Sequence, residues 1–98
     1  MREKTEIDKI KEKLVPLLKK NNVTKAGIFG SYARGEQTKK SDVDLLVEVK
    51  DTMGLLEFIG LKNTIEKRLG LKIDLVEYEG IRKELRKRIL REEIPILR

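Results

Sequence analysis

The sequence contains no cysteine, no histidine and no tryptophan, a single glutamine, and only two tyrosines and two phenylalanines among 98 residues. Without cysteine there are no disulfides and no thiolate chemistry, and without histidine there is no imidazole acid–base catalysis and no imidazole metal site. Any metal must therefore be held by oxygen, which favours magnesium, manganese or calcium over zinc. No apolar run approaches the roughly 20 residues of a membrane span. The amino terminus, MREKTEIDKIKEK, is charged and unlike a signal peptide, so the expectation is a soluble, cytoplasmic protein with no membrane partner.

What the chain has in abundance is charge. Charged residues make up 41% of it and the net charge is +6, which suits an anionic ligand or partner: a nucleotide, a nucleic acid or an acidic protein surface. Its length implies one domain, residues 1–98, with a single modest core. No linker, repeat or low-complexity segment interrupts it.

Apolar spacing predicts the elements. Thr5 and Asp8 stand in a capping-box relation ahead of Ile7, Ile10, Leu14, Leu17 and Leu18, which recur at helical intervals. Pro16 is expected to kink this helix or shift its start, and Asn21-Asn22 to stop it in a left-handed turn. Val23–Phe29 reads as a strand ending at Gly30, followed by one or two helical turns over Ser31–Arg34 that Gly35 ends. A polar loop, Glu36–Ser41, leads to a strand from Asp42 to Val49. After a turn over Lys50 to Gly54, the stripe Leu55, Phe58, Leu61, Ile65 and Leu69 predicts a helix lying on a sheet and stopped by Gly70. Leu71 to Glu77 is a third strand. A last helix runs from about Gly80 to Arg91 with Ile81, Leu85 and Ile89 inward, before an apolar tail, Ile94–Leu97, around Pro95. The alternation predicts an α/β fold, helices covering a small sheet of three or more strands.

The stretch GSYARGEQTKKSDVD, Gly30 to Asp44, carries the chemistry. Side chains on a strand alternate between faces, so Asp42 and Asp44 share one face while Val43, Leu45, Val47 and Val49 line the other. Two carboxylates about 4 Å apart repel by roughly 4 kcal/mol at an effective dielectric near 20, so the pair invites a cation. If the second and third strands are neighbours, Asp74 joins them. Such a trio accepts divalent ions, and two Mg2+ there suit a phosphoryl displacement. Gly30 and Ser31 suit its phosphates, because glycine permits close backbone approach and a following helix start offers free N–H groups and a hydroxyl. No GxxxxGK[ST] loop is present.

Gly30-Ser31, ten intervening residues, then Asp42-x-Asp44 resembles the signature of the DNA polymerase beta nucleotidyltransferase superfamily. GSYARGEQTKKSDVDLLV and the later KIDLVEYEGIRKELRKRILREEI resemble its minimal nucleotidyltransferase branch, the antitoxin partners of HEPN-domain toxins. The resemblance extends from about Val23 onward. It implies the nucleotidyltransferase fold, with a small mixed sheet covered by helices, and an enzyme that uses Mg2+ and takes ATP as donor. It implies Asp42 and Asp44 as metal ligands, and Asp74 as a third carboxylate that binds metal and helps activate the acceptor hydroxyl. It further implies AMP transfer onto a tyrosine of the partner toxin, which silences it, and a hetero-oligomer with that toxin.

The less specific meanings of the same residues are solvated strand-end charges for the aspartates and a helix cap for Ser31. Arg34 has two readings, donor-phosphate contact or a brace between the loop and an aspartate. Tyr32 reads as packing, and Lys72 as a solvated lysine flanking Asp74. The basic run Arg82, Lys83, Arg86, Lys87, Arg88 and Arg91 reads first as a solvated helix face. Nucleic acid is not favoured there, since only Tyr78 offers a nearby ring, and an acidic partner is equally open. Two alternatives stand beside adenylyl transfer to a toxin: a stand-alone nucleotidyltransferase acting on RNA or a small molecule, and a catalytically silent antitoxin that works by contact.

Overall fold

In the computed structural model, which describes residues 5–50 and 52–98, helix α1 (Glu6–Lys20) begins at a reciprocal capping box. Asp8 N–H donates to Thr5 Oγ1 at 3.0 Å and Thr5 N–H to Asp8 Oδ2 at 3.1 Å, so two of the donors that a helix start leaves unpaired are satisfied. The helix runs unbroken through Pro16 and its start is unshifted. Pro16 and Glu12 both lie on the exposed side, where water can take the place of the missing proline N–H at the Glu12 carbonyl. Ile10, Leu14 and Leu18 point the other way and are buried. Asn22, at φ 64, makes the left-handed exit, and the Asn21 side chain closes the last turn by donating to the Leu17 carbonyl at 2.8 Å.

Four strands follow in the sheet order β3-β2-β1-β4. Strand β1 (Val23–Phe29) pairs antiparallel with β2 (Val43–Val49), and β2 pairs parallel with β3 (Ile73–Glu77). The sheet is therefore mixed. The crossover from β2 to β3 is helix α3 (Leu55–Leu69), which ends at Gly70 in the left-handed conformation, φ 68. Of the expected turn between Lys50 and Gly54, Asp51 lies outside the described residues; Met53 N–H donates to the Lys50 carbonyl at 2.9 Å. A short helix α2 (Gly30–Arg34) leaves β1, and helix α4 (Lys83–Glu92) follows a 3-10 turn at Tyr78–Gly80.

Two faces of the sheet are packed unequally. Val43, Leu45, Val47, Ala26, Ile28 and Ile73 form the main core with α1 and with Leu61 and Ile65 of α3. The opposite face carries a smaller cluster of Leu46, Tyr78 and Ile81, with Phe29, Val76 and Ile89 against it. Strand alternation produces both, since Leu46 points opposite to its neighbours Leu45 and Val47. The face that bears the aspartates is thus half covered, by α4 and the 3-10 turn.

Three sequence expectations are corrected here. The apolar tail is strand β4 (Ile94–Leu97), paired antiparallel with β1, and Ile96 is buried in the main core. Pro95 is tolerated because β4 is an edge strand, where one missing donor costs little. Leu55 is 74% exposed, because the buried stripe of α3 begins only at Phe58. The last helix proper starts at Lys83, the residues before it being taken by the 3-10 turn and Ile81.

Glu93 locks this second face together. Its side chain is 3% exposed, accepts a hydrogen bond from the Tyr78 hydroxyl, and pairs with Arg98 at 2.9 Å. It fits because residue 27 is glycine: a Cβ there would lie 1.9 Å from Glu93 Oε2 and 2.5 Å from its Cδ. Burial, and then the bond to Glu93, push the Tyr78 hydroxyl's pKa upward, so it stays protonated. Gly27→Ala should therefore destabilise the fold by about 2 kcal/mol, the cost of overpacking, as read by denaturant unfolding.

Candidate active site

The acidic edge lies where β2 and β3 begin. Val43 N–H donates to the Lys72 carbonyl at 2.9 Å, which sets the two strand starts level. In the resulting parallel register Asp44 stands opposite Asp74. The strand expected from Asp42 begins one residue later, at Val43, so Asp42 directly precedes β2, and its charge acts on Asp44. Asp42 is presented by a turn that closes on itself, with Thr38 N–H donating to Ser41 Oγ at 2.8 Å and Ser41 N–H to the Thr38 carbonyl at 3.1 Å.

Asp44 is the electrostatic centre of the group. Its pKa is raised from the ordinary carboxylate value to about 6, first by burial, then by the charges of Asp74 and Asp42, with Arg34 acting in the opposite sense. Among the described residues no three acidic side chains have the spacing of a single ion's ligand sphere. The donor set nevertheless fits a hard divalent cation: its donors are all carboxylate oxygens, and the parallel register sets Asp44 and Asp74 side by side.

Gly30 supports the same carboxylate from below. It has φ +72, and a Cβ on it would lie 1.9 Å from Asp44 Oδ2 and 2.9 Å from Cγ. Gly30 is thus required twice, by its backbone conformation and by the acid that rests on it. Ser31 follows on the first turn of α2, which no side chain caps. Gly35, at φ 73, ends that turn, and Glu36 N–H donates to the Ser31 carbonyl at 2.9 Å.

Arg34 is held by two acids. Nε donates to Glu36 at 2.8 Å and Nη1 to Glu92 at 3.2 Å. Those bonds, Glu36 before Glu92, raise its pKa further. The brace that the sequence suggested therefore runs to glutamates, and its reach to Asp44 is through the field alone. Glu92 gave no sign in the sequence, because nothing local connects position 92 to position 34. Tyr32 is buried in the main core, as packing. Lys72 precedes β3 and serves it through its carbonyl.

Two cavities lie away from the acidic edge. A cavity of about 530 Å3 opens at the opposite end of β2, around Val47, Glu48 and Tyr78. Another, of about 310 Å3, lies between the end of α1 and α3. The aspartates border neither of them.

The mixed sheet, the Gly-Ser corner and the paired aspartates at two parallel strand starts define a nucleotidyltransferase. The chain belongs to the polymerase beta nucleotidyltransferase family, which matches residues 12–98. A Methanocaldococcus jannaschii protein provisionally named a protein adenylyltransferase is 44% identical over 91 residues, 93% of this chain and 98% of that one. The solved structure of a provisionally assigned minimal nucleotidyltransferase superposes with a TM-score of 0.79 at 36% identity over 91% of each chain. A chain in a toxin–antitoxin structure with AMP-PNP superposes with a TM-score of 0.76 at 25% identity, over 88% of this chain and 71% of that one. Among the described residues no helix is long and apolar enough to cross a membrane.

Proposed function

We propose that this nucleotidyltransferase is a Mg2+-dependent protein adenylyltransferase and antitoxin, which moves AMP from ATP to a tyrosine hydroxyl of a HEPN-family toxin and so inactivates it. The observation that carries the reading is Asp44 seated on Gly30 and opposite Asp74 in register. The relative named for protein adenylylation and the toxin–antitoxin neighbour with AMP-PNP support the acceptor class and the donor.

In this reading Asp42, Asp44 and Asp74 hold the metal, for which two ions is the expected number. When bound, Mg2+ offsets the charge of the triphosphate and of the attacking and leaving oxygens. Ser31 and the uncapped N–H groups of α2 bind phosphate oxygens. Arg34, fixed by Glu36 and Glu92, adds positive field beside them. Asp74 accepts the proton of the acceptor hydroxyl as its oxygen forms a bond to the α-phosphorus. The bond to the β-phosphate oxygen breaks, and pyrophosphate leaves.

Purified protein, ATP labelled in the α-phosphate and Mg2+ should label a cognate HEPN-family toxin, on tyrosine by mass spectrometry. EDTA should abolish the label, and so should the double variant Asp42→Asn, Asp44→Asn. Label appearing on RNA or a metabolite with no protein acceptor present would overturn the reading.

A further inference from the structure

The exposed face of α4 carries more positive charge than its fold has use for. Between Arg82 and Glu92 six cations stand against two acids, a net of four positive charges in a chain of net +6. Two of the eight charged groups are spoken for: Arg86 donates to the Tyr78 carbonyl at 2.9 Å and Glu92 pairs with Arg34. Lys83, Lys87, Arg88 and Arg91 are exposed, and among the described residues none of them has an ion-pair partner.

Helix stability does not explain the pattern. Cations complement a helix at its C-terminal end, yet Lys83 is the first residue of α4, and Arg82 before it makes no side-chain cap. Lys83, Lys87 and Arg91 stand four residues apart, so like charges face one another along a stripe about 12 Å long, which weakens a helix. At that spacing Arg88 alone has acids for neighbours, Glu84 and Glu92, and Glu92 is engaged by Arg34. A stripe that works against its own helix is accounted for by something outside it.

An RNA strand would be one anionic partner, but the rings that grip bases are missing. Tyr32 and Tyr78 are buried, and Phe29 and Phe58 are packed against the cores. Leu90 instead stands 39% exposed among the cations, a mixture of apolar and arginine-rich surface typical of protein contacts. The C-terminal end of the stripe approaches the acidic edge, since Glu92 ties that end of α4 to Arg34 of α2 and α2 begins at the Gly30 that carries Asp44, while Arg86 holds the rest of the helix toward Tyr78.

We infer that the outer face of α4 docks an acidic surface of the protein acceptor, and that the stripe and the aspartates together orient that acceptor. This rests on the adenylyltransferase reading. Positive α4 beside a negative edge admits a partner in one sense only: its acids on α4, its uncharged hydroxyl toward Asp74. The opposite placement sets acid against acid.

The test compares two double variants of equal charge change, Lys83→Glu with Lys87→Glu on α4, and Lys62→Glu with Lys67→Glu on exposed positions of α3. Binding of the cognate HEPN-family toxin is measured by calorimetry, label transfer to it by kinetics, and binding of a 20-nucleotide single-stranded RNA by fluorescence anisotropy. The α4 variant should bind the toxin at least about tenfold more weakly, with its KM for the toxin raised, its kcat kept and its melting temperature unchanged or higher. The α3 variant should match the parent. Equal toxin affinity in both variants, while the parent labels the toxin, would overturn the docking surface and leave the adenylyltransferase reading intact. Tight RNA binding lost only in the α4 variant would overturn it in favour of nucleic acid. A parent that binds the toxin through α4 but transfers nothing would sink the enzymatic reading alone, whereas a parent that neither binds nor labels it would sink both.

Discussion

Asp44→Asn should abolish transfer and yet stabilise the protein. Loss of a carboxylate from the reacting edge is expected to cost a few hundredfold or more in kcat, the scale seen when one group that stabilises transition-state charge is removed. Stability moves the other way because Asp44 is held against its preference, its pKa lifted from 3.8 to about 6. Undiscounted, that shift corresponds to about 3 kcal/mol, and screening of a half-exposed group reduces it to about 1 kcal/mol. The sign follows from proton binding. A carboxyl whose folded pKa exceeds its unfolded value contributes stability below pH 4, and that contribution is lost as pH rises to about 6. Denaturant unfolding of the parent in metal-free buffer should show this decline across pH 4 to 6, and the asparagine variant should lack it. Mg2+ should raise the melting temperature of the parent and leave that of the variant in place, since an ion stabilises only a folded state that binds it. A variant that is active, or that is less stable at pH 7, would contradict the assignment.

Gly30→Ala should be as inactive and should fail in the opposite thermodynamic direction. The new methyl group meets Asp44 Oδ2 at 1.9 Å and Cγ at 2.9 Å, so the carboxylate has to leave its place. The backbone at φ +72 adds a left-handed cost of about 1 kcal/mol for any residue with a Cβ. Together the two effects should cost about 2 to 3 kcal/mol. Gly35→Ala provides the control. It shares the left-handed conformation, φ +73, but a Cβ there meets nothing within 4 Å. That variant should lose only about 1 kcal/mol and keep its activity. If Gly30→Ala and Gly35→Ala proved equally active, the contact between Gly30 and Asp44 would have no part in the chemistry.

These two residues illustrate how much of the edge was legible before any coordinates. The period of two places Asp42 and Asp44 on one face, and the family signature names them with Gly30 and Ser31. What the sequence left conditional was Asp74, because its arrival depended on β2 and β3 being neighbours. The bond from Val43 N–H to the Lys72 carbonyl and the Asp44–Asp74 register meet that condition. The intimacy of Gly30 with Asp44 could not be read at all. A glycine before a helix predicts a turn, and only packing tells which atom occupies the space of the absent Cβ.

Residue order by itself determined the events that span a few positions: the Thr5–Asp8 box, the left-handed stops at Asn22 and Gly70, the helical stripe of α3 from Phe58 to Leu69, the alternation of β2. Each depends on atoms within about one turn or one strand of chain, so the pattern and the structure carry the same information. Tertiary structure alone decided that Ile94–Leu97 adds to β1, that Glu93 lies over Gly27, that Arg34 reaches Glu92, and that Leu55 faces outward. Those outcomes turn on which surfaces meet across dozens of residues. An edge strand takes whichever partner completes the sheet, and a charge takes whichever opposite charge the packing leaves within 3 Å or so.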